Sequence, residues 1–229
     1  MNTRLAFVRV WDLPVRLFHW LLVALLAASW ITAEAGIQYM TWHMRCGYAI
    51  LALVLFRLLW GFVGSPYARF SSFVVGVPAA WRYLRSWFGA RPLRYAGHNP
   101  LGGWMVLALL LLIAAQAATG LFATDDIFND GPLNRLVSNN MADTLTGWHH
   151  LIFNLLLGAA ALHVLAVVLY LLVKRDNLVW PMVTGRKPGA GLHHVQIERR
   201  VPGWRACVVA AISVAAVWAL VEWLPAVAG

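Results

Sequence analysis

Eight histidines are present in a chain in which only 12% of the residues are charged. His193 and His194 lie in a basic connection and are interpreted as solvated surface residues. His98 precedes Asn99-Pro100 at the start of an apolar stretch, where helix capping or contact with lipid headgroups explains it. Ionisable or metal-binding side chains inside a membrane are costly and therefore usually functional. Five histidines lie within or at the ends of long apolar segments: His19, His43, His149, His150 and His163.

The positions of four of these histidines predict two levels within a membrane. His19 lies a few residues into the first apolar segment, His43 opens the second and His149 opens the fourth. His163 follows His149 by 14 residues, which is roughly 21 Å at helical rise. We therefore expect His43 to pair with His149 near one face of the membrane. His19 is expected to pair with His163 near the other face.

Helical rotation provides a second criterion. Fourteen residues at about 100° each amount to about 1400°, about 40° short of four full turns. His149 and His163 should therefore project from nearly the same face of their helix. His150 would lie about 140° from His163, so His149 is the better ligand candidate and His150 is the alternative.

Paired neutral imidazoles on facing helices suit an iron porphyrin, which binds one nitrogen on each side of its plane. Gly47, one turn after His43, and Gly158, one turn before His163, would let a flat macrocycle approach the backbone. Cys46 and Cys207 form no C-x-x-C-H motif, so such a haem would be held without thioether bonds. The alternative is a set of hydrogen-bonding histidines in an unrelated membrane protein. The match of four residues in depth and face favours haem.

The composition predicts an all-α integral membrane protein. The chain has 229 residues, of which 61% are apolar, and its charged fraction is about half that of a typical soluble domain. A membrane-spanning helix needs about 20 predominantly apolar residues. We predict a four-helix haem-binding bundle plus a fifth C-terminal helix, over residues 17–36, 41–63, 101–123, 149–173 and 205–224. The first is predicted to be a retained helix, not a cleaved signal peptide.

Basic residues alternate between connections and predict the orientation. They are concentrated before the first helix and in the second and fourth connections, while the other connections and the C-terminal tail have almost none. By the positive-inside rule, the N-terminus is cytoplasmic and the C-terminus is periplasmic. This distribution also accounts for the net charge of +9, so no nucleic-acid partner is needed.

Two connections are longer than a turn. Residues 64–100 interleave aromatic residues with Arg82 and Arg85, which predicts a short helix in the headgroup layer of the membrane. The aromatic residues are Trp81, Tyr83, Trp87 and Phe88, and the apolar residue Leu84 lies among them. Residues 124–148 are acidic, contain the turn signal Gly131-Pro132, and are predicted to face the outside, where a soluble partner could dock.

With these motifs in order, the sequence resembles the bacterial di-haem membrane cytochromes b, the cytochrome b561 group that includes the cytochrome b subunits of nickel–iron hydrogenases. The resemblance extends from about residue 8 to residue 175. It rests on VWDLPVRLFHW at 10–20, HMRCGY at 43–48, RLLWGFVGS at 57–65 with ARF at 68–70, GHNPLG at 97–102, DGPL at 130–133, and the spacing of His149 and His163.

The resemblance implies a di-haem domain over residues 1–175, followed by a basic loop and a fifth helix over residues 176–229. It implies that His19, His43, His149 and His163 bind the iron of two haem b groups, in a bacterial inner membrane. It also implies exchange of electrons with membrane quinone, which would be a further ligand. The family often has an acidic residue where this chain has His150, which leaves His150 as an alternative ligand.

Two arginines are candidate partners for haem propionates. Arg16 is the arginine nearest in sequence to His19, although headgroup contact and topology explain it equally well. Arg45 lies close to His43, on the side of the membrane that has few cations, and is the preferred partner for the outer haem.

Three functions remain open from the sequence. The first is electron transfer through two haems between membrane quinone and a periplasmic or membrane redox partner, with or without membership of a larger oxidoreductase. The second is a stand-alone quinone-linked oxidoreductase that acts on a small oxidant such as superoxide. The third is a haem-free membrane transport or assembly protein.

Overall fold

The computed structural model describes residues 7–86, 94–189, 192–193, 195–196 and 201–228. The α-helices are α1 (Leu13–Glu34), α2 (Met40–Val63), α3 (Val77–Ser86), α4 (Pro100–Gly120), α5 (Asn139–Leu172), α6 (Val179–Thr184), α7 (Gly203–Trp218) and α8 (Leu224–Ala228), with a π-helical turn at Ala219–Trp223. Short 3₁₀ turns occupy Ile37–Tyr39, Pro66–Ala68, Phe70–Ser72 and Asn134–Leu136. The strands are β1 (Phe7–Arg9), β2 (Arg94–Tyr95), β3 (Arg186–Pro188) and β4 (Leu192–His193). Trp87, Phe88 and His194 lie outside the described residues.

Five helical segments are long and apolar enough to cross a membrane, which confirms the predicted all-α membrane fold. They cover Leu13–Glu34, Ile37–Val63, Pro100–Gly120, Asn139–Leu172 and Gly203–Val227. Only 6% of the most apolar part of Asn139–Leu172 is buried within the protein. Because water would strongly disfavour so much exposed apolar surface, lipid is the environment that this surface fits.

The prediction that His149 opens the fourth long helix is wrong. Helix α5 begins at Asn139, ten residues earlier, so His149 lies about 15 Å along the helix at 1.5 Å per residue. Five of the ten added residues are polar, so the apolar pattern that marks a membrane span does not extend over them. Helical backbone bonds need no apolar side chains, so the helix continues beyond the apolar segment.

The described chain forms two compact units. The first contains residues 1–17, 59–108 and 161–206, and the second contains residues 18–58, 109–160 and 207–229. Each of the five long helices contributes residues to both units. His43 and His149 belong to the second unit.

In the first unit, Asp12 organises the start of α1. Its Oδ1 accepts a hydrogen bond from the backbone N–H of Val15 at 2.9 Å, and its Oδ2 accepts one from the indole N–H of Trp60 at 3.0 Å. Such a cap satisfies one of the donors that the first helical turn leaves unpaired. Trp60 is among the most deeply buried side chains in the described residues. The motif around Asp12 therefore anchors the first span to the end of the second.

Short strand pairs and a buried ion pair connect the polar segments of the first unit. Strand β1 pairs antiparallel with β3, and β2 pairs parallel with β4. Asp176 and Lys187 are buried and form an ion pair with an Nζ–Oδ2 distance of 2.8 Å. Lys187 also donates to the backbone carbonyl of Tyr95 at 3.1 Å, and Arg94 lies 3.4 Å from the other Asp176 oxygen. One buried carboxylate therefore ties together the segments before α4, after α5 and after α6.

In the second unit, the fifth span packs on the acidic connection. Val217 and Val221 form a buried apolar cluster with Leu121 and Leu133, and Tyr48 packs against it. Pro225 follows the π-helical turn at Ala219–Trp223. Proline cannot donate to the carbonyl four residues earlier and its ring clashes there, which accounts for the irregular turn. The last span thus stabilises the end of α4.

The predicted interfacial segment does contain a helix, α3, with Trp81 exposed and Tyr83 buried. The guanidinium of Arg85 lies 5.1 Å from the centre of the Trp81 ring. The helix predicted for residues 64–100 is confirmed, and its place in the headgroup layer remains a prediction.

Candidate functional site

The structure brings His43 of α2 and His149 of α5 together. Their ring centroids are 6.2 Å apart and their planes are nearly perpendicular, at 83°. Both side chains are half-buried. The second unit therefore contains two imidazoles on separate helices whose rings lie close together.

A backbone carbonyl fixes the tautomer of His43. Nδ1 of His43 lies 2.9 Å from the carbonyl oxygen of Ser29 and 3.1 Å from the Ser29 hydroxyl oxygen. Because a carbonyl only accepts, Nδ1 carries the hydrogen and donates it to Ser29. Nε2 of the neutral ring then has the lone pair that a metal ion requires.

His149 is fixed in the same way by α4. Its Nδ1 lies 2.9 Å from the carbonyl oxygen of Gln116 and 3.3 Å from the Thr119 hydroxyl oxygen. Its Nε2 lies 3.0 Å from Nε2 of Gln116, so the amide N–H donates to the imidazole lone pair. The Oε1 atom of Gln116 is buried and has no hydrogen-bond partner among the described residues. Both histidines thus present Nε2 as the acceptor atom.

Sequence reasoning missed Ser29, Gln116 and Thr119. Gln116 and Thr119 are polar residues within an otherwise apolar span, and that isolation is a signal that could have drawn attention to them. Ser29 gives no such signal, because its contribution is mainly its backbone carbonyl. Backbone contacts depend on how two helices pack, which side-chain type does not specify.

Two glycines shape the space around the imidazoles. A Cβ atom added to Gly120 would lie 2.9 Å from Cε1 of His149, so the absence of a side chain allows α4 to approach the ring. A Cβ added to Gly47 would have no heavy atom within 4 Å. Gly47 therefore borders open space one turn from His43, as a flat ligand would need.

The residues fit a bis-imidazole iron porphyrin. Two imidazoles that bind one metal ion through bonds of about 2 Å would have ring centroids about 6 Å apart. The observed separation of His43 and His149 is 6.2 Å. Both rings have the tautomer in which Nε2 is the acceptor atom, so His43 and His149 can hold such a group once iron replaces the Gln116 amide as the partner of His149 Nε2, with open space beside Gly47.

His150, the alternative ligand, is exposed, and its ring lies 6.4 Å from that of His149. Three contacts, with Gln116 and Thr119, orient the ring of His149. The geometry favours His149, and the choice between the two remains a prediction.

The other predicted pair is divided between the two units. His163 lies in the first unit and His19 lies in the second. Both side chains are half-buried, and the ring of His19 contacts the edge of Trp20 at 4.9 Å. Their pairing remains a prediction from the sequence.

The two candidate propionate partners have different surroundings. Arg16 is half-buried and donates from Nη2 to the carbonyl of Val183, while its buried Nε has no partner among the described residues. Arg45 is exposed, with its guanidinium 5.1 Å from the centre of the Trp42 ring. The roles of both arginines toward a haem remain predictions.

The first unit contains a separate cavity of about 520 Å³. Tyr67, Phe73, Tyr83 and Tyr95 supply aromatic walls, and His98 and Arg82 also line it. The ring of His98 lies 4.6 Å from both Trp11 and Phe73. The actual cap of α4 is Asn99, whose Oδ1 accepts from the backbone N–H of Gly102 at 2.8 Å, so His98 lines the cavity instead of capping the helix.

A hydrogen-bonded chain leads into this cavity. Asn99 donates from Nδ2 to the Tyr170 hydroxyl at 2.7 Å, and the Tyr170 hydroxyl is hydrogen-bonded to that of Tyr83. Burial raises the pKa of the neighbouring Tyr95 hydroxyl, which keeps it protonated. The cavity therefore offers neutral O–H groups beside aromatic surfaces.

Comparison with known proteins gives consistent matches. The sequence profile described as prokaryotic cytochrome b561 matches residues 10–185. A protein of Azotobacter vinelandii named "Probable Ni/Fe-hydrogenase B-type cytochrome subunit" is 28% identical over 219 residues, covering 78% of this chain and 87% of the relative. An Escherichia coli K12 protein named "Probable Ni/Fe-hydrogenase 1 B-type cytochrome subunit" is 26% identical over 213 residues, covering 77% and 88%. No solved structure matches the chain.

Proposed function

Because the chain belongs to the prokaryotic cytochrome b561 family, we propose that it passes electrons through two b-type haems between membrane quinone and a redox partner protein. Family membership and the five spans establish a multi-pass transmembrane cytochrome of the b type. The proposal adds that there are two haems, that quinone is an electron-transfer partner and that the chain has a defined orientation across the membrane. The N-terminus is placed in the cytoplasm and the C-terminus in the periplasm of a bacterial inner membrane.

One observation carries the proposal. The ring centroids of His43 and His149 lie 6.2 Å apart, and each ring donates from Nδ1 to a carbonyl of a neighbouring helix. These hydrogen bonds orient the rings and increase the basicity of Nε2. When bound, haem supplies a one-electron iron centre. The protein supplies the ligands, their orientation and an apolar environment, while His19 and His163 are proposed to hold the second haem.

The names of the relatives favour a subunit over a stand-alone enzyme. The Azotobacter and Escherichia proteins are both named as cytochrome subunits of a nickel–iron hydrogenase. We therefore propose that the redox partner is a nickel–iron hydrogenase, at the membrane or in the periplasm. A haem-free transporter would not need two histidines with matched tautomers.

The aromatic cavity of the first unit supports quinone exchange. A quinone is a flat ring with two carbonyl acceptors, so it fits aromatic walls that present hydroxyl donors. Tyr83 is the candidate donor, because its hydroxyl is bonded to Tyr170, which in turn accepts from Asn99. Because Tyr170 accepts from Asn99, it can donate to the Tyr83 oxygen, and the Tyr83 O–H can then donate to a quinone oxygen.

Substitution of Tyr83 tests the quinone part of the proposal. The dithionite-reduced protein is freed of excess reductant and mixed with decylubiquinone, and haem oxidation is followed by its absorption. We expect Tyr83→Phe to slow oxidation about tenfold or more, because it removes a positioned proton donor. Tyr39→Phe, at an exposed tyrosine of the second unit, is the matched control. Equal rates for Tyr83→Phe and the original protein would contradict the assignment.

Substitution of Gly47 tests the haem space next to His43. The leucine side chain of Gly47→Leu would enter a region with no heavy atom within 4 Å of the added Cβ, so we expect folding to be preserved. We expect haem at the His43–His149 site to be lost, as measured by the haem-to-protein ratio. Gly203→Leu, at another glycine with open surroundings, should keep its haem. Full haem content in Gly47→Leu would place Gly47 toward lipid instead.

A further inference from the structure

The acidic connection exposes two large apolar side chains at its tip. Phe128 is 76% exposed and Ile127 is 74% exposed, the highest values for large apolar residues in the described part of the chain. They lie between α4 and α5, outside the five spans. Exposed apolar groups of this kind, surrounded by polar residues, are typical of interaction sites.

Asp125 holds this tip in one conformation. Its Oδ1 accepts from the backbone N–H groups of Ile127 at 3.0 Å, Phe128 at 2.7 Å and Asn129 at 2.8 Å. Its Oδ2 accepts from the Asn129 side chain at 2.7 Å. These hydrogen bonds hold the pKa of the Asp125 carboxyl well below its usual range. A tip that is already ordered loses little conformational entropy on binding.

Hydrogen bonds connect the two ends of this acidic connection to the residues around His149. The backbone N–H of Thr124 donates to the Thr146 hydroxyl at 3.1 Å, and that of Leu133 donates to the carbonyl of Leu121 at 2.8 Å. Thr146 lies about one turn before His149 on α5, and Gly120 lies directly against the His149 ring. A protein bound at the tip would therefore be connected to the His43–His149 site through a few short contacts.

Charge indicates the kind of partner. Residues 124–148 contain four aspartates, Asp125, Asp126, Asp130 and Asp143, and one arginine, Arg135. Asp126, Asp130 and Asp143 are exposed. Such a surface attracts a basic protein surface and repels anionic lipid headgroups.

We propose that Ile127 and Phe128 insert into an apolar cleft of a soluble redox protein whose rim carries lysines and arginines. This inference rests on the proposed function, because it names the surface through which the His43–His149 haem exchanges electrons. The aspartates steer the partner, and the two apolar side chains hold it. One electron then passes between the haem iron and the redox centre of the partner.

Mitochondrial cytochrome c, a basic protein with an exposed haem edge, is a suitable probe. The full chain in lipid nanodiscs is reduced with dithionite, freed of excess reductant and mixed with ferric cytochrome c in a stopped-flow instrument. One electron leaves the b-type haem and reduces the ferric probe. We expect the double substitution Ile127→Ser and Phe128→Ser to lower the second-order rate constant about tenfold or more. Ile37→Ser, at an exposed isoleucine of the 3₁₀ turn between α1 and α2, should leave it unchanged.

A separate measurement tests whether the aspartates steer the partner. The rate constant of the original protein should fall as ionic strength rises. The double substitution Asp126→Asn and Asp130→Asn should lower the rate at low salt and flatten this dependence. An unchanged rate in the serine variant, or an unchanged salt dependence in the asparagine variant, would overturn the proposal.

Insertion of the tip into lipid is the competing outcome. A bimane label at Phe128→Cys, in a chain that also carries Cys46→Ser and Cys207→Ser, reports the polarity around the tip. We expect water-like emission in nanodiscs and a blue shift when cytochrome c is added. Lipid-like emission before the addition would overturn the proposal. Absence of haem from the original protein would instead overturn the proposed function, so the two failures are distinguishable.

Discussion

Replacing His43 or His149 with alanine is expected to remove one haem from the purified protein and leave the other bound. Each substitution deletes one of two imidazoles whose centroids lie 6.2 Å apart, and bis-imidazole iron that loses one ligand is held by the other alone. The haem-to-protein ratio, measured on extracted haem, should fall to about half. A redox titration should then show that one of two transitions has disappeared. The same result is expected for His19→Ala or His163→Ala at the second proposed site.

The control is His150→Ala. His150 is exposed and adjacent to His149 in sequence, so its substitution should leave the haem content unchanged. Equal loss in His150→Ala and His149→Ala would mean that the ligand was wrongly assigned. If His43→Ala and His163→Ala emptied the same site, the pairing by level would be contradicted. Each outcome is read from the haem content and needs no knowledge of the partner.

Substitution of Asp176 by asparagine is expected to cause the largest loss of stability. The Asp176 carboxylate is buried and lies 2.8 Å from Nζ of Lys187, which is itself only 4% exposed. Its removal leaves a buried ammonium group without a compensating charge, which typically costs about 3–5 kcal/mol. For a chain of this size the thermal midpoint should fall by roughly 10 °C. The measurement is thermal unfolding of the purified protein in detergent, followed by circular dichroism.

Two further variants make this result specific. Asp143→Asn changes an exposed aspartate of the second unit and should shift the midpoint little. The double substitution Asp176→Leu and Lys187→Met removes both buried charges and should recover much of the lost stability, because no unpaired charge remains. A midpoint unchanged in Asp176→Asn would show that water reaches Lys187 and that the pair does not hold these segments together.

The sequence by itself determined the membrane fold. Runs of about 20 apolar residues have no stable alternative to a helix in lipid, where each backbone polar group must be paired within its own segment. The five spans could therefore be predicted, and the family resemblance that rested on the residues around His19, His43 and Gly97 is confirmed by the match over residues 10–185. The expectation that His43 and His149 lie together followed from their places near the starts of two apolar segments that reach the same face of the membrane.

The tertiary structure alone decided what surrounds these residues. The first ten residues of α5, the carbonyls of Ser29 and Gln116 beside the imidazoles, and the ion pair of Asp176 with Lys187 have no periodic pattern. The same holds for the cavity beside Tyr83 and for the exposed tip at Phe128. Each depends on which segments meet when helices and connections pack, and contacts between distant residues are not encoded in the spacing of any one segment.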